Sequence, residues 1–245
     1  MSMNDPKNPS PAPLARNPNR GLYRLLAWLS PGFPVGSFAF SHGLEAAAAS
    51  GAVRDRYSLQ LWISAIVASG GGRIDADVFS DAYRASSSGD IGALTGANRR
   101  GVAFRATAET RLETTAQGEA FLATCRAAWP SPVLDCWAQR ISERGEAVCY
   151  AAAVGAATAQ AGIALDCALL GYLQALASNL VSAGLRLGII GQTDGQRIVA
   201  TLEPVISAAV AGALTRDPDG FGSATFAVEL ASMDHETQYT RLFRS

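Results

Sequence analysis

Apolar side chains recur along this chain at helical spacing, and the strict alternation that marks a half-buried strand is not seen. The clearest stripe is Leu59, Trp62, Ile63, Ile66 and Val67, at i, i+3, i+4, i+7 and i+8, which predicts a helix facing a core and ending at Gly70-Gly71-Gly72. Upstream, residues 22–29 predict a short apolar helix that stops at Ser30-Pro31-Gly32-Phe33-Pro34-Val35-Gly36, and a second helix is expected over 37–50. Downstream, helices fit 75–85, 91–115, 117–128 and 134–144, with Trp129-Pro130-Ser131-Pro132 as a breaker, and the alanine-rich run 147–160 also reads as helix. Thr193 and Gln196 have capping-box spacing and open a helix to about residue 213, in which Pro204 is expected to place a kink. Residues 216–222 carry turn formers and predict a flexible loop before the last segment.

Residues 167–185 hold nineteen positions without a charge, long enough to span a membrane. Gln174, Ser178, Asn179 and Ser182 interrupt the run, and Asp166 and Arg186 flank it without a positive bias on one side. A central bundle helix is the better reading, and no membrane role is expected. The fold class is therefore all-α, a single-domain bundle of about nine or ten helices over residues 21–233. Residues 1–20, with five prolines, are expected to be a disordered extension, and residues 234–245 a separate C-terminal tail.

Composition narrows the function more than it names one. At 49% hydrophobic residues the 245-residue chain can bury a sizeable core, and a net charge of -1 with pI 6.1 gives no basis for nucleic-acid binding. Two histidines and one lysine, Lys7 in the N-terminal extension, are a thin inventory for an enzyme, and no GxxxxGK[ST] phosphate loop is present. Cys125, Cys136, Cys149 and Cys167 lack CxxC pairing and read as buried free thiols. With no secretory leader visible, a cytoplasmic protein is expected.

The chemical candidates are few. His42 and Glu45 are three apart and read as a structural pair on one helix face. Arg105, Glu109 and Glu113 follow at i+4 steps and read as a solvated or partner-facing charged surface, with no histidine partner in reach. Gly184 and Gly188 put small residues on one helix face, which permits close helix approach or a self-association seam. In the tail His235-Glu236-Thr237-Gln238-Tyr239-Thr240-Arg241-Leu242-Phe243-Arg244-Ser245, Tyr239, Leu242 and Phe243 fall on one helical stripe beside Arg241 and Arg244. Such a segment either folds back on its own domain or presents the aromatic and arginine anchors of an interface.

Three blocks converge on a family. Residues 25–45 (LLAWLSPGFPVGSFAFSHGLE), the motif Gly191-Gln192-Thr193-Asp194-Gly195-Gln196, and the closing HETQYTRLFRS resemble, in order, signatures of the urease accessory protein family UreF. The resemblance implies an all-helical protein without catalysis or a cofactor of its own. Such proteins bridge UreD (also called UreH) and the GTPase UreG to apo-urease during nickel metallocentre assembly, and form homodimers. It also implies that the tail orders against UreD. Carried onto this chain, the partner-binding residues are His235, Glu236, Gln238, Tyr239, Arg241, Leu242, Phe243 and Arg244, joined by Ser41, His42, Glu45, Gln192 and Gln196. Ile189 stands where the family often has proline, so the central helix is expected to run on, and Asp234 stands where the family has a basic residue. Two other functions compete with the scaffold. One is a metal-dependent hydrolase using His42, Glu45, Glu109 and Glu113; the other is a nickel-storing metallochaperone using His235 and the cysteines.

Overall fold

Three helix starts among the described residues are set by a side chain, of Asp55, Asp90 or Thr107, that satisfies an orphaned first-turn amide. Asp55 accepts from the Ser58 amide while Ser58 returns a bond to the Asp55 backbone, and Thr107 and Thr110 repeat the arrangement. Pro132 follows Ser131 at the start of another helix, where its missing N–H costs nothing. The computed structural model describes residues 18–244, which form eleven α-helices and two single 3-10 turns, with no strand among the described residues. In order, α1 is Pro18–Trp28, α2 Leu44–Ala49, α3 Arg56–Ser69, α4 Gly71–Ser88, α5 Ile91–Ala103 and α6 Ala108–Ala128. They are followed by α7 Pro132–Glu143, α8 Tyr150–Gln160, α9 Leu165–Arg186, α10 Gln192–Thr215 and α11 Phe226–Glu236. The all-α class is as the pattern predicts, with α11 the helix beyond the expected number.

At the centre, α4 packs on α8 and is surrounded by α3, α5, α9 and α10. The alanine-rich α8 permits this closeness: residues 151–158 are all buried, and a Cβ at Gly155 would sit 2.5 Å from the Phe79 carbonyl oxygen. The predicted stripe of α3 faces inward as expected, with Leu59, Ile63, Ile66 and Val67 buried and Trp62 partly so. Trp28 packs edge-to-face on Phe121 and Trp129, and Phe33 lies tilted on Phe121 and stacked on Trp129, which ties α1 and the following loop to α6.

Helices α9 and α10 are long and apolar enough, by length and composition alone, to cross a membrane. They pack on each other and on α3 and α4, and Leu169, Leu173, Leu180 and Val181 of α9 are buried in that packing, as in the core helix of a bundle.

Several local expectations are corrected. Of the expected extension over residues 1–20, residues 1–17 lie outside the described residues, and residues 18–20 belong to α1. The run 91–115 is not one helix: it breaks after Ala103 at residues 104–107, where Thr107 caps the next. Thr193 and Gln196 make no capping box, because Gly191 is the N-cap and Gln192 already opens α10. Central helix α9 does not run on through Ile189; Gly188 at φ 73° and the Ile189 amide bonded to the Gly184 carbonyl close it. Gly188 thus lies outside the helix, and Gly184 faces Leu59 of α3 inside the molecule, so the two do not make a self-association seam. Segment 216–222 is tied down, with Arg216 Nε donating to Asp77 at 2.8 Å and Phe221 packed edge-on against Phe104. Cys125 and Cys149 are buried free thiols, whereas Cys136 and Cys167 are exposed.

Candidate functional site at the C-terminal tail

The segment after α1 turns sharply just before α2. His42 at φ 53° and Gly43 at φ 71° take successive left-handed conformations, a rare and costly state for a residue with a side chain. Gly43 has no substitute here, since a Cβ would lie 2.6 Å from the Ser232 amide nitrogen of α11. Backbone contact between α2 and α11 brings Glu45, in the first turn of α2, over His235 near the end of α11. On the other side, α6 contributes Glu109, and the Thr107 and Ser232 hydroxyls meet at 2.8 Å between α6 and α11.

The ring of His235 is fully buried between two carboxylates. Its Nε2 lies 3.0 Å from Glu45 Oε2, and its Nδ1 lies 2.8 and 2.9 Å from the two oxygens of Glu109. Arg241 Nη1 donates to Glu109 Oε1 at 2.9 Å, and the same guanidinium donates to the Gln238 and Glu236 carbonyls, which folds residues 236–241 into a compact loop. Glu45 then takes the next two backbone amides, Leu242 at 2.7 Å and Phe243 at 2.9 Å. The Arg244 amide donates to the Ala39 carbonyl at 2.7 Å. Phe243 is buried beneath the Arg186 guanidinium, 4.3 Å from its ring centre.

Burial alone raises the Glu45 carboxyl, but the Leu242 amide, His235 and the Phe243 amide outweigh it and hold it below the ordinary carboxylate value. Glu109 goes the other way: burial dominates over His235 and Arg241 and holds its carboxyl above the ordinary value.

A second buried polar group continues along α6. His42 Nε2 meets Glu113 Oε1 at 3.1 Å, and Gln117 donates to the same oxygen. Burial lowers the His42 imidazole, yet the charge and hydrogen bond of Glu113 more than compensate and hold it above its ordinary value. Arg105 pairs with Asp75, whose other oxygen accepts from Tyr172 at 3.0 Å, and burial pushes the Tyr172 hydroxyl well up. These groups line a cavity of about 380 Å³ together with Trp28, Phe38 and Tyr150. Among the described residues no set of three or more His, Cys, Asp and Glu side chains has the placement to hold a metal ion.

The structure thus rearranges the expected chemistry. His42 and Glu45 do not pair with each other, because the left-handed turn sends His42 to Glu113 while Glu45 reaches His235. Glu109 and Glu113 are not a solvated face, each being 6% exposed, and each has a histidine partner from a distant part of the chain. The tail does not form the expected helical stripe: residues 237–244 are irregular, with Phe243 inside, Tyr239 fully exposed and Leu242 60% exposed. Arg241 and Arg244 both contact their own domain, Arg244 over the Phe40 ring. Glu236 accepts from the Ala108 amide at the start of α6, and the Gln238 side-chain amide donates to the nearby Thr240 carbonyl. Ser41 is fully buried, its hydroxyl 3.4 Å from the Glu45 amide. Gln192 and Gln196 are exposed in the first turns of α10.

Asp75 is a residue of these groups that the sequence pattern does not single out, and for Arg105 and Glu109 spacing gave the residues but not their burial or partners. A signal existed for Glu109 and Glu113: counting on by fours along α6 reaches Gln117 and the core residues Phe121 and Cys125, so both carboxylates share the buried face.

Sequence comparison with known proteins extends over nearly the whole chain. The UreF family model matches residues 53–203. A urease accessory protein UreF of Rhodopseudomonas palustris strain BisB5 is 46% identical over 240 residues, covering 98% of each chain. The UreF of Bradyrhizobium sp. strain BTAi1 is 49% identical, covering 91% of this chain and 92% of its own, and that of Azorhizobium caulinodans is 48% identical over 90% and 94%. The chain belongs to the UreF family of urease accessory proteins.

Proposed function

We propose that this protein is a non-catalytic scaffold that bridges UreD and the GTPase UreG to apo-urease during nickel insertion, in the cytoplasm and as a homodimer. Residues 234–245 are its docking segment. The observation that carries the reading is the split within the tail. Arg241 and Phe243 anchor the loop to α6 and α2, the first through a partly buried bond to Glu109 and the second through a buried bond to Glu45, while Tyr239 and Leu242 are held outward with 103% and 60% exposure. An aromatic and a leucine fixed in place on a pre-formed loop offer a partner contact area at little ordering cost. The thin catalytic inventory, two histidines that both bond carboxylates, favours a scaffold over a hydrolase.

Truncation after Thr237 tests the reading, because it removes the loop and keeps His235 between its carboxylates. Mixing the truncated chain with UreD and UreG and measuring complex mass by light scattering is expected to give no ternary complex, while circular dichroism stays helical. A complex of full mass would dismiss the docking role. A chain that unfolds on truncation is resolved by the double variant Tyr239→Ala with Leu242→Ser, which leaves every anchor in place.

A further inference from the structure

The geometry points to an extra proton stored at the seat of the tail: closing residues 235–244 onto α2 and α6 takes up one proton, shared among Glu109, His235 and Glu45. Both ring nitrogens of His235 face carboxylate oxygens, at 2.8 to 3.0 Å, and the ring is wholly buried. A neutral imidazole carries one N–H, so in that form one bare lone pair would face a carboxylate with no hydrogen between them. The charge count gives the same answer independently. Glu45 of α2 and Glu109 of α6 bring two negative charges, and Arg241 of the tail brings one positive charge. A neutral ring leaves a buried surplus of one negative charge, which is costly in a low-dielectric site. One further proton, on the ring or on a Glu109 oxygen turned to Nδ1, removes both faults.

The Leu242 and Phe243 amides offset part of the Glu45 charge, but among the described residues no second arginine or lysine pairs with Glu45 or Glu109. Glu236 at the end of α11 is exposed and caps the Ala108 amide, adding negative charge near Glu109. Arg186 of α9 lies over the Phe243 ring. One turn along α6, Glu113 is engaged by His42, and Arg105 by Asp75. Burial holds the Glu109 carboxyl above its ordinary value, against the pull of His235 and Arg241. With the tail lifted, the three groups meet water, and an imidazole in water gives up its proton above about pH 6.5. Lifting therefore releases the proton at neutral pH, and raising the pH favours the lifted tail by up to about tenfold per pH unit. A partner that seizes the lifted segment gains affinity as pH rises, and one that reads the seated loop loses it. The proton count is independent of what the tail docks against.

The test uses the full chain with nitrogen-15 histidine and carbon-13 glutamate labels. At pH 7 the His235 ring is expected to show either two protonated nitrogens or one together with a protonated Glu109 carboxyl, the signals being assigned by their loss in His235→Gln. A neutral ring beside two ionised carboxylates would overturn the proposal. Hydrogen exchange at the Leu242 and Phe243 amides, corrected for base catalysis, adds a second arm. In Glu109→Gln the amide can donate to Nδ1 while Nε2–H donates to Glu45, so the neutral ring is satisfied without the extra proton. The opening equilibrium is expected to rise with pH in the wild type and to be flat in Glu109→Gln. Equal slopes in the two would overturn the proposal, and if the variant does not fold, the ring signals of the wild type decide.

Discussion

Replacing Glu45 with glutamine keeps the size of the side chain and removes the charge that three donors share. The Leu242 amide lies 2.7 Å from one carboxylate oxygen, and the Phe243 amide and His235 Nε2 lie 2.9 and 3.0 Å from the other. In Glu45→Gln the surviving oxygen accepts from Phe243 and His235, and the new amide nitrogen confronts the Leu242 N–H, donor against donor. One hydrogen bond to a charged group, about 1.5–3 kcal/mol, is lost, and an orphaned amide adds about 1–3 kcal/mol. The sum, about 2.5–6 kcal/mol, is an upper bound, since a lifted tail regains water. Even the lower figure shifts the opening equilibrium by about 60-fold at 1.4 kcal/mol per decade. Native-state hydrogen exchange reads this at the Leu242 and Phe243 amides, while amides of α4 and α8 are expected to keep their protection. Unchanged protection at Leu242 would refute the reasoning. The same bonds set an acid limit. The folded Glu45 carboxyl lies below its ordinary value of 4.5, so its contribution is fully present above pH 4.5 and is lost as pH falls through the folded value.

Gly43→Ala places a Cβ 2.6 Å from the Ser232 amide nitrogen at a φ of 71°, so the left-handed cost of about 1–2 kcal/mol adds to separation of α2 from α11. A melting temperature lower by about 5–10 °C and faster exchange in the tail are expected, and an unchanged melting curve would contradict the close approach. His42 is held above its ordinary 6.5 in the folded chain, so its pairing with Glu113 stabilises fully below pH 6.5 and fades as pH rises through the folded value. Urea titrations from pH 6 to 9 are expected to show this loss in the wild type and a smaller loss in Glu113→Gln. Burial pushes the Cys125 thiol up to about 11, and burial aided by Asp166 raises that of Cys167. Alkylation followed by mass spectrometry is expected to label exposed Cys136 first, Cys167 more slowly, and Cys125 only on unfolding.

The helical class was legible because periodicity is local: the α3 stripe and the Trp129–Pro132 breaker each depend on a few neighbouring residues. Helix ends were less so. By sequence Thr107 is one more polar residue inside a long run and Gly188 a helix residue, although Thr107 starts α6 through its side-chain hydroxyl and Gly188 ends α9 through its left-handed backbone. The tail's composition and the three matched blocks pointed to the family and to the C-terminal segment, and Arg241, Leu242 and Phe243 do engage Glu45 and Glu109. What was hidden was the pairing of both histidines with α6 carboxylates. Glu113 lies 71 positions from His42, and Glu109 lies 126 from His235. Spacing along one helix reports only which residues share a face. Whether that face meets water or a second buried segment depends on contacts that close over a hundred residues, and here α11 covers it.

The claim that the tail displays Tyr239 and Leu242 to a partner is tested most directly by calorimetric titration of UreD into the full chain and into the double variant Tyr239→Ala with Leu242→Ser. An exposed anchor at an interface centre carries about 2 kcal/mol, about 30-fold in affinity, so the double variant is expected to bind at least about 30-fold more weakly with helicity and tail protection unchanged. Equal affinity for wild type and variant would contradict the account.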